Sequence, residues 1–306
     1  MKTLSHAETA SPRWSDLVRL AILTVPMLVG APAAAQKAAP LALTDTLGSF
    51  EFKDMRGDPS RPVRVWYYRP STASRADRVV FLLHGSSRTG KQAQDLGAPF
   101  ARKHNFSLIA PEFSQEHFPD TVYDFGGVAG MDGRVRADSM WTLSVIEHLF
   151  DAVKAAVPVR DSTYDIVGHS AGGQFTHRLV LLMPHARFRR AVVSSPGRYV
   201  FPVSTVPWPY GLGGSPADSS SVRRAFQRDV VVIVGDNDVA DQVRDWGAPT
   251  TAQGKNRFAR ALRFYAAASE EAFARGVPLA WRLRVVNGVD HDPPKMVRAA
   301  LQTLID

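Results

Sequence analysis

The sequence predicts a single α/β domain built on a mostly parallel, doubly wound sheet with helices on both faces. Three observations carry this. Continuous apolar runs such as Val79–Leu83 and Val230–Val234 suit strands covered on both sides. Helix-period segments alternate with them along the chain. One strand, Tyr164–His169, runs directly into Ser170 and then into what reads as an amphipathic helix from Ala171 to Leu182.

The elements follow in order. Phe50–Phe52 and Val63–Tyr68 alternate like strands, with Arg56-Gly57-Asp58-Pro59 as the turn between them. They are expected to pair antiparallel as the leading strands. After the strand Val79–Leu83, a helix is expected over Lys91–Lys103 and a strand over Ser107–Ala110. Residues 112–137 read as loop, with Gly126, Gly127 and Gly130. A helix over Ser139–Val157 would bury Trp141, Val145, Leu149 and Phe150. Beyond the strand–Ser170–helix unit lie a strand at Arg190–Ser194 and a Pro- and aromatic-rich stretch from Pro196 to Pro216. The strand Val230–Val234, a long helix over Asn256–Arg275, a last strand Trp281–Val286 and a closing helix Lys295–Leu304 complete the domain.

The N-terminus reads as a secretory signal peptide. Arg13 and Arg19 precede an apolar run from Leu20 to Val29, then Ala33-Ala34-Ala35 offers a small-residue cleavage site. Cleavage is expected after Ala35, with Ala39 as the alternative site and an uncleaved anchor as the alternative role. The mature protein is then residues 36–306, a single domain, loose over 36–48, exported to the periplasm or medium. No second apolar run is long enough to span a bilayer. The chain has 306 residues, no cysteine and a formal net charge of +8. No disulfide or thiolate chemistry is available, and a domain of this size can rely on its core. The basic residues form no stripe with interleaved aromatics, so a solvated positive surface is expected rather than a nucleic-acid site.

Gly168-His169-Ser170-Ala171-Gly172 is the functional core of the sequence. A serine between strand and helix must take a strained backbone to lift its hydroxyl above the sheet. Glycines at 168 and 172 remove side chains that would collide across so tight a turn. The helix start aims free N–H groups at the hydroxyl. Serine needs a base, and the base needs an orienting acid. These are sought at the carboxyl ends of the strands. His291, after the last strand, is the expected base. Asp238, after Val230–Val234, is the expected acid, with Asp236 next and Asp241 a distant third; Asp236 also reads as a turn aspartate. A backbone N–H of Ser86, or alternatively Ser87, after His84-Gly85 would join that of Ala171 in an oxyanion hole. The His169 side chain is expected to point away from the site, and His84, His177 and His185 to be structural. No cofactor is implied, and no His/Asp/Glu cluster has the spacing of a metal site. Tyr199, Trp208 and Tyr210 are read as a pocket wall for an acyl or aryl group, or as loop packing. Tyr123, Trp141 and Trp246 read as core.

Four motifs now stand in order: His-Gly at 84–85, Gly-His-Ser-Ala-Gly at 168–172, Gly-x-x-Asp at 235–238 and Gly-x-x-His at 288–291. In this the chain resembles the α/β-hydrolase superfamily over nearly all of residues 36–306. In detail it resembles the secreted polyhydroxybutyrate-depolymerase and feruloyl-esterase-like branch, although no accessory polymer-binding domain is read in the chain. The resemblance implies ester hydrolysis through an acyl-enzyme, acting on a small-molecule or polymeric ester. A peptidase or amidase with the same triad, or a non-catalytic binding protein on this fold, are the competing readings.

Overall fold

The computed structural model describes residue 43 and residues 46–70, 78–130, 132–157, 159–240 and 248–306. The leader with its cleavage site, most of the expected loose segment 36–48, Asp241 and Trp246 lie outside the described residues.

Eight strands form one sheet: β1 (Leu47–Phe52), β2 (Val63–Tyr68), β3 (Val79–Leu83), β4 (Ser107–Glu112), β5 (Tyr164–His169), β6 (Phe188–Ser194), β7 (Asp229–Gly235) and β8 (Arg282–Val286). Their spatial order is β1-β2-β4-β3-β5-β6-β7-β8. Only β2 runs against its neighbours, pairing antiparallel with β1 and with β4, while β4 through β8 are parallel. The helices are α1 (Gly90–His104), α2 (Asp120–Tyr123), α3 (Ser144–Ala156), α4 (Ala171–Leu182), α5 (Ser219–Phe226), α6 (Ala248–Gln253), α7 (Arg257–Ala274) and α8 (Pro293–Gln302).

The period-two alternation of the strands sorts the core into two layers. Val80 and Leu82 of β3, Val167 of β5 and Val231 and Ile233 of β7 face α1 and α8, which contribute Ala93, Ala101, Met296 and Leu301. Phe81, Ile166, Val193 and Val232 face the opposite way, onto Leu149 and Phe150 of α3, Phe175 and Leu179 of α4 and Phe264 of α7.

Several elements depart from their sequence-based bounds for local reasons. The helix expected from Ser139 is a short 3₁₀ turn at Asp138–Met140, an extended Trp141, and then α3 from Ser144. The Trp141 indole donates back to the Arg136 carbonyl at 2.9 Å, which draws this residue out of a helix. The last helix begins two residues early, because Asp292 caps it and Pro293 suits its first turn. Sequence reading omits α5, whose three leading serines are poor helix formers. Asp218 caps it by accepting from Ser221 N–H, and Val222, Ala225 and Phe226 bury its inner face. The helix α4 is not amphipathic: all twelve of its residues are buried. Its polar side chains find partners within the helix and beside it, apart from the Arg178 Nε, which has no hydrogen-bond partner among the described residues. His177 Nδ1–H donates to the Gly173 carbonyl at 2.9 Å, and Arg178 donates to the carbonyls of Gln174 and Pro209.

Among the described residues, no helix is long and apolar enough to cross a membrane.

Candidate active site

The parallel strands β3, β5, β7 and β8 deliver four chain reversals to one edge of the sheet. The first is the turn after β5. Ser170 has φ +56° and ψ −114°, a left-handed conformation that costs a non-glycine residue on the order of 1–3 kcal/mol. It is possible because the flanking chain is so small. A Cβ on Gly168 would overlap the Gly172 carbonyl, and one on Gly172 would lie 2.6 Å from the Leu83 carbonyl oxygen. Ala171 is the first residue of α4, so its N–H has no acceptor within the helix.

The turn after β7 carries Asp238, which is only 2% exposed. The turn after β8 carries His291. The His291 Nδ1–H donates to Asp238 Oδ2 at 2.9 Å, and the Ser170 hydroxyl lies 3.0 Å from His291 Nε2, in position to donate to it. The two aspartates at the end of β7 have separate partners. Asp236 Oδ1 accepts from Gly288 N–H at 2.7 Å and so holds the β8 turn, while Asp238 meets the imidazole.

The loop after β3 closes the other side. A Cβ on Gly85 would stand 3.5 Å from Ser170 Cβ and 4.0 Å from its Oγ, so this backbone runs alongside the serine. Ser86 and Ser87 follow, both exposed. The loop is pinned from beneath. Arg88 donates to the carbonyls of Phe113 and Phe118 and pairs with Asp120 at 2.7 Å. The Tyr123 hydroxyl donates to the His84 carbonyl at 2.8 Å. His84 itself takes Phe113 N–H on Nε2 and donates from Nδ1 to Gly85, and burial pushes it down to about 4, so the ring is neutral.

Two expectations are corrected here. His169 does not turn away from the site. Its ring lies 4.8 Å from the His291 ring, tilted by 31°. The alternation of β5 puts His169 on the same side as Val167, toward α8, and His291 sits on the turn that enters α8. Burial above all, and then His291, hold His169 well below the usual histidine range. Tyr199 is not a pocket residue. It is 0% exposed, stacked 4.4 Å from Phe264, and its backbone is paired both ways with the Gln253 amide. Trp208 and Tyr210 are half-buried and keep accessible surface. His84 and His177 are buried, and Tyr123 and Trp141 lie in the core.

Sequence reading missed Arg257, the first residue of α7, whose Nη1 lies 3.5 Å from Asp238 Oδ1. It also missed a buried polar cluster behind α4. There Asp124 accepts from Gln174 at 3.0 Å and pairs with Arg198 at 3.3 Å, and Arg178 stands over the Phe125 ring. Burial pushes Arg178 down to about 9, with Arg198 adding to the shift. A lone arginine in a loop or helix start carries no sequence signal for such a role. Among the described residues, no group of three His, Asp or Glu side chains could hold a metal ion.

No protein-family model matches the chain, and no curated protein matches it. Solved structures do. Poly(aspartic acid) hydrolase-1 from Sphingomonas sp. KT-1 superposes with a TM-score of 0.82 at 30% identity, over 87% of this chain and 100% of that one. LpqC, a poly(3-hydroxybutyrate) depolymerase from Bordetella parapertussis, gives 0.81 at 30% identity, over 85% and 89%. An S-formylglutathione hydrolase from Agrobacterium tumefaciens, at 16% identity and a TM-score of 0.54, shares the fold over 85% of this chain and 93% of its own. A strand order with one reversed strand, an eight-stranded sheet and 30% identity across a whole homologous chain together place the protein: it belongs to the α/β-hydrolase superfamily, in the depolymerase-like branch, and is a hydrolase.

Proposed function

We propose that the protein is an exported serine esterase that works through an acyl-enzyme, with Ser170 as nucleophile, His291 as general base and acid, and Asp238 as the orienting acid. The observation that carries this is the unbroken relay from Asp238 Oδ2 through both imidazole nitrogens to Ser170 Oγ, at 2.9 and 3.0 Å. With Nδ1–H held by the carboxylate, Nε2 is the free base that takes the hydroxyl proton as Ser170 attacks the ester carbonyl. The developing oxyanion is met by the N–H groups of Ala171 and Ser86, Ser87 being the alternative second donor. His291 then returns the proton to the leaving alcohol. Water, deprotonated by the same imidazole, releases the acid.

Trp208 and Tyr210 are assigned to the pocket wall, supported by their partial exposure on the stretch that follows β6. The signal peptide and export are proposed from the charged leader, the short apolar run and the Ala-rich cleavage site. Amide hydrolysis is a second reading. Poly(aspartic acid) hydrolase-1 is named for a polyamide, and the groups that attack an amide also attack an ester.

Hydrolysis of p-nitrophenyl esters from acetate to long acyl chains, beside release of aspartate from poly(aspartic acid), tests both. The wild type is expected to turn over the esters, and Ser170→Ala to lose at least about 10⁴-fold. Turnover of poly(aspartic acid) alone moves the assignment to an amidase, and an unimpaired Ser170→Ala removes the triad.

A further inference from the structure

Arg257 stands where helix physics does not favour it. It opens α7 directly after the Asn256 cap, at the positive end of the helix dipole, where a cation weakens the helix. Its side chain nevertheless turns inward, with 15% exposure, and sets Nη1 3.5 Å from Asp238 Oδ1. The next residue strengthens the docking, since Phe258 N–H donates to the Asp238 carbonyl at 3.2 Å. The start of α7 is therefore held on the turn that carries Asp238 by one backbone bond and one charge. Arg257 Nε is buried without a hydrogen-bond partner among the described residues. A site that sets a cation at a helix start and leaves its Nε buried without a partner has a reason beyond local stability.

The reason lies in the burial of Asp238. One of its oxygens accepts from His291, and the other faces Arg257. A carboxylate so far from water needs a compensating charge. In the proposed mechanism His291 supplies one only while it is an imidazolium.

We infer that Arg257 is a positioning residue that keeps Asp238 ionised and aimed at His291 between turnovers and, by sharing that carboxylate, extends activity to lower pH. This rests on the triad reading given above. The groups around His291 allow the effect to be isolated. From β5 comes the His169 ring, which is neutral, and beside it Ser170. From β7 come Asp238 and Asp236, the latter bound to Gly288 N–H. On its own turn Asp290 is exposed, and Asp292 caps α8 and pairs with Lys295. Of these groups, Arg257 is the cation that shares the Asp238 carboxylate with His291.

The test is the pH dependence of kcat/KM for p-nitrophenyl butyrate, measured on wild type, Arg257→Lys, Arg257→Gln, Arg257→Met and Ser170→Ala, with a urea midpoint for each. Two neutral variants are used so that a folding defect in one leaves the other to decide. The acidic limb is expected to move up by about half to one pH unit in the neutral variants. Their KM should stay near that of wild type while kcat falls, and Arg257→Lys should restore most of the limb. A packing role alone would lower the urea midpoint and reduce activity equally at every pH, and that result overturns the inference. An unshifted limb in folded neutral variants, with Ser170→Ala inactive, removes the role of Arg257 and leaves the triad standing. An active Ser170→Ala removes both.

Discussion

At the scale of single residues, the two carboxylates that end β7 make the sharpest contrast. They are two positions apart, yet Asp236 is spent on the Gly288 N–H and Asp238 on the imidazole. Asp238→Asn is expected to lower kcat by roughly 10⁴-fold, because an amide at that position favours the wrong histidine tautomer. Asp236→Asn removes a charged acceptor from a half-exposed turn and should cost no more than about tenfold. Steady-state kinetics on the pair checks this; equal losses would show that the β8 turn, not the relay, limits the reaction. The pattern Gly-x-x-Asp points to a strand-end carboxylate but carries no information on which way each side chain leaves the turn. Tyr199 teaches the same lesson from the other side. Its aromatic neighbours in sequence suggest a pocket wall, but the Gln253 amide and the Phe264 ring draw it into the core.

At the scale of elements, glycines separate stability from activity. A methyl on Gly172 would meet the backbone oxygens of Leu83, the last residue of β3, at 2.6 Å and of His84 just after it at 2.8 Å, atoms that cannot move without shifting the sheet. Gly172→Ala is therefore expected to destabilise the fold by about 2–3 kcal/mol. A methyl on Gly85 meets only ordinary contacts, the nearest being Ser170 itself at 3.5 Å. Gly85→Ala should keep the wild-type urea midpoint and lower kcat/KM by about tenfold or more, by crowding the proposed oxyanion position. A reversed ranking in urea titrations would mean that α4 and β3 are free to separate. Most elements were legible from period and capping chemistry. The helix expected from Ser139 starts late because the Trp141 indole bonds back to Arg136, five residues away, while α4 keeps its expected bounds but is covered on every side.

At the scale of the whole molecule, burial of histidines sets an acid limit on stability. Burial pushes His84 from 6.5 down to about 4, and holds His169 and His177 well below the same starting value. Each is neutral in the fold and free to take a proton once unfolded. Unfolding thus takes up protons below about pH 6.5, so stability is whole above that value and is lost as the pH falls toward 4. The urea midpoint is expected to decline steadily between pH 7 and pH 5. A flat profile would mean that these rings admit protons without unfolding.

Local chemistry along the chain is enough to specify the alternating strands and helices, the strained serine between two obligatory glycines, and the order in which the other strand-end motifs follow. All of these depend on residues within a few positions of one another, where backbone sterics and hydrophobic period act. Which carboxylate meets His291, the packing of His169 against that ring, the arrival of Arg257 from the start of α7 and the withdrawal of Tyr199 are different in kind. They depend on groups brought together across separations of 19 to 122 residues, as between Arg257 and Asp238 and between His169 and His291. Their partners are chosen by side-chain direction and burial once the sheet has assembled, and neither quantity is written in local sequence.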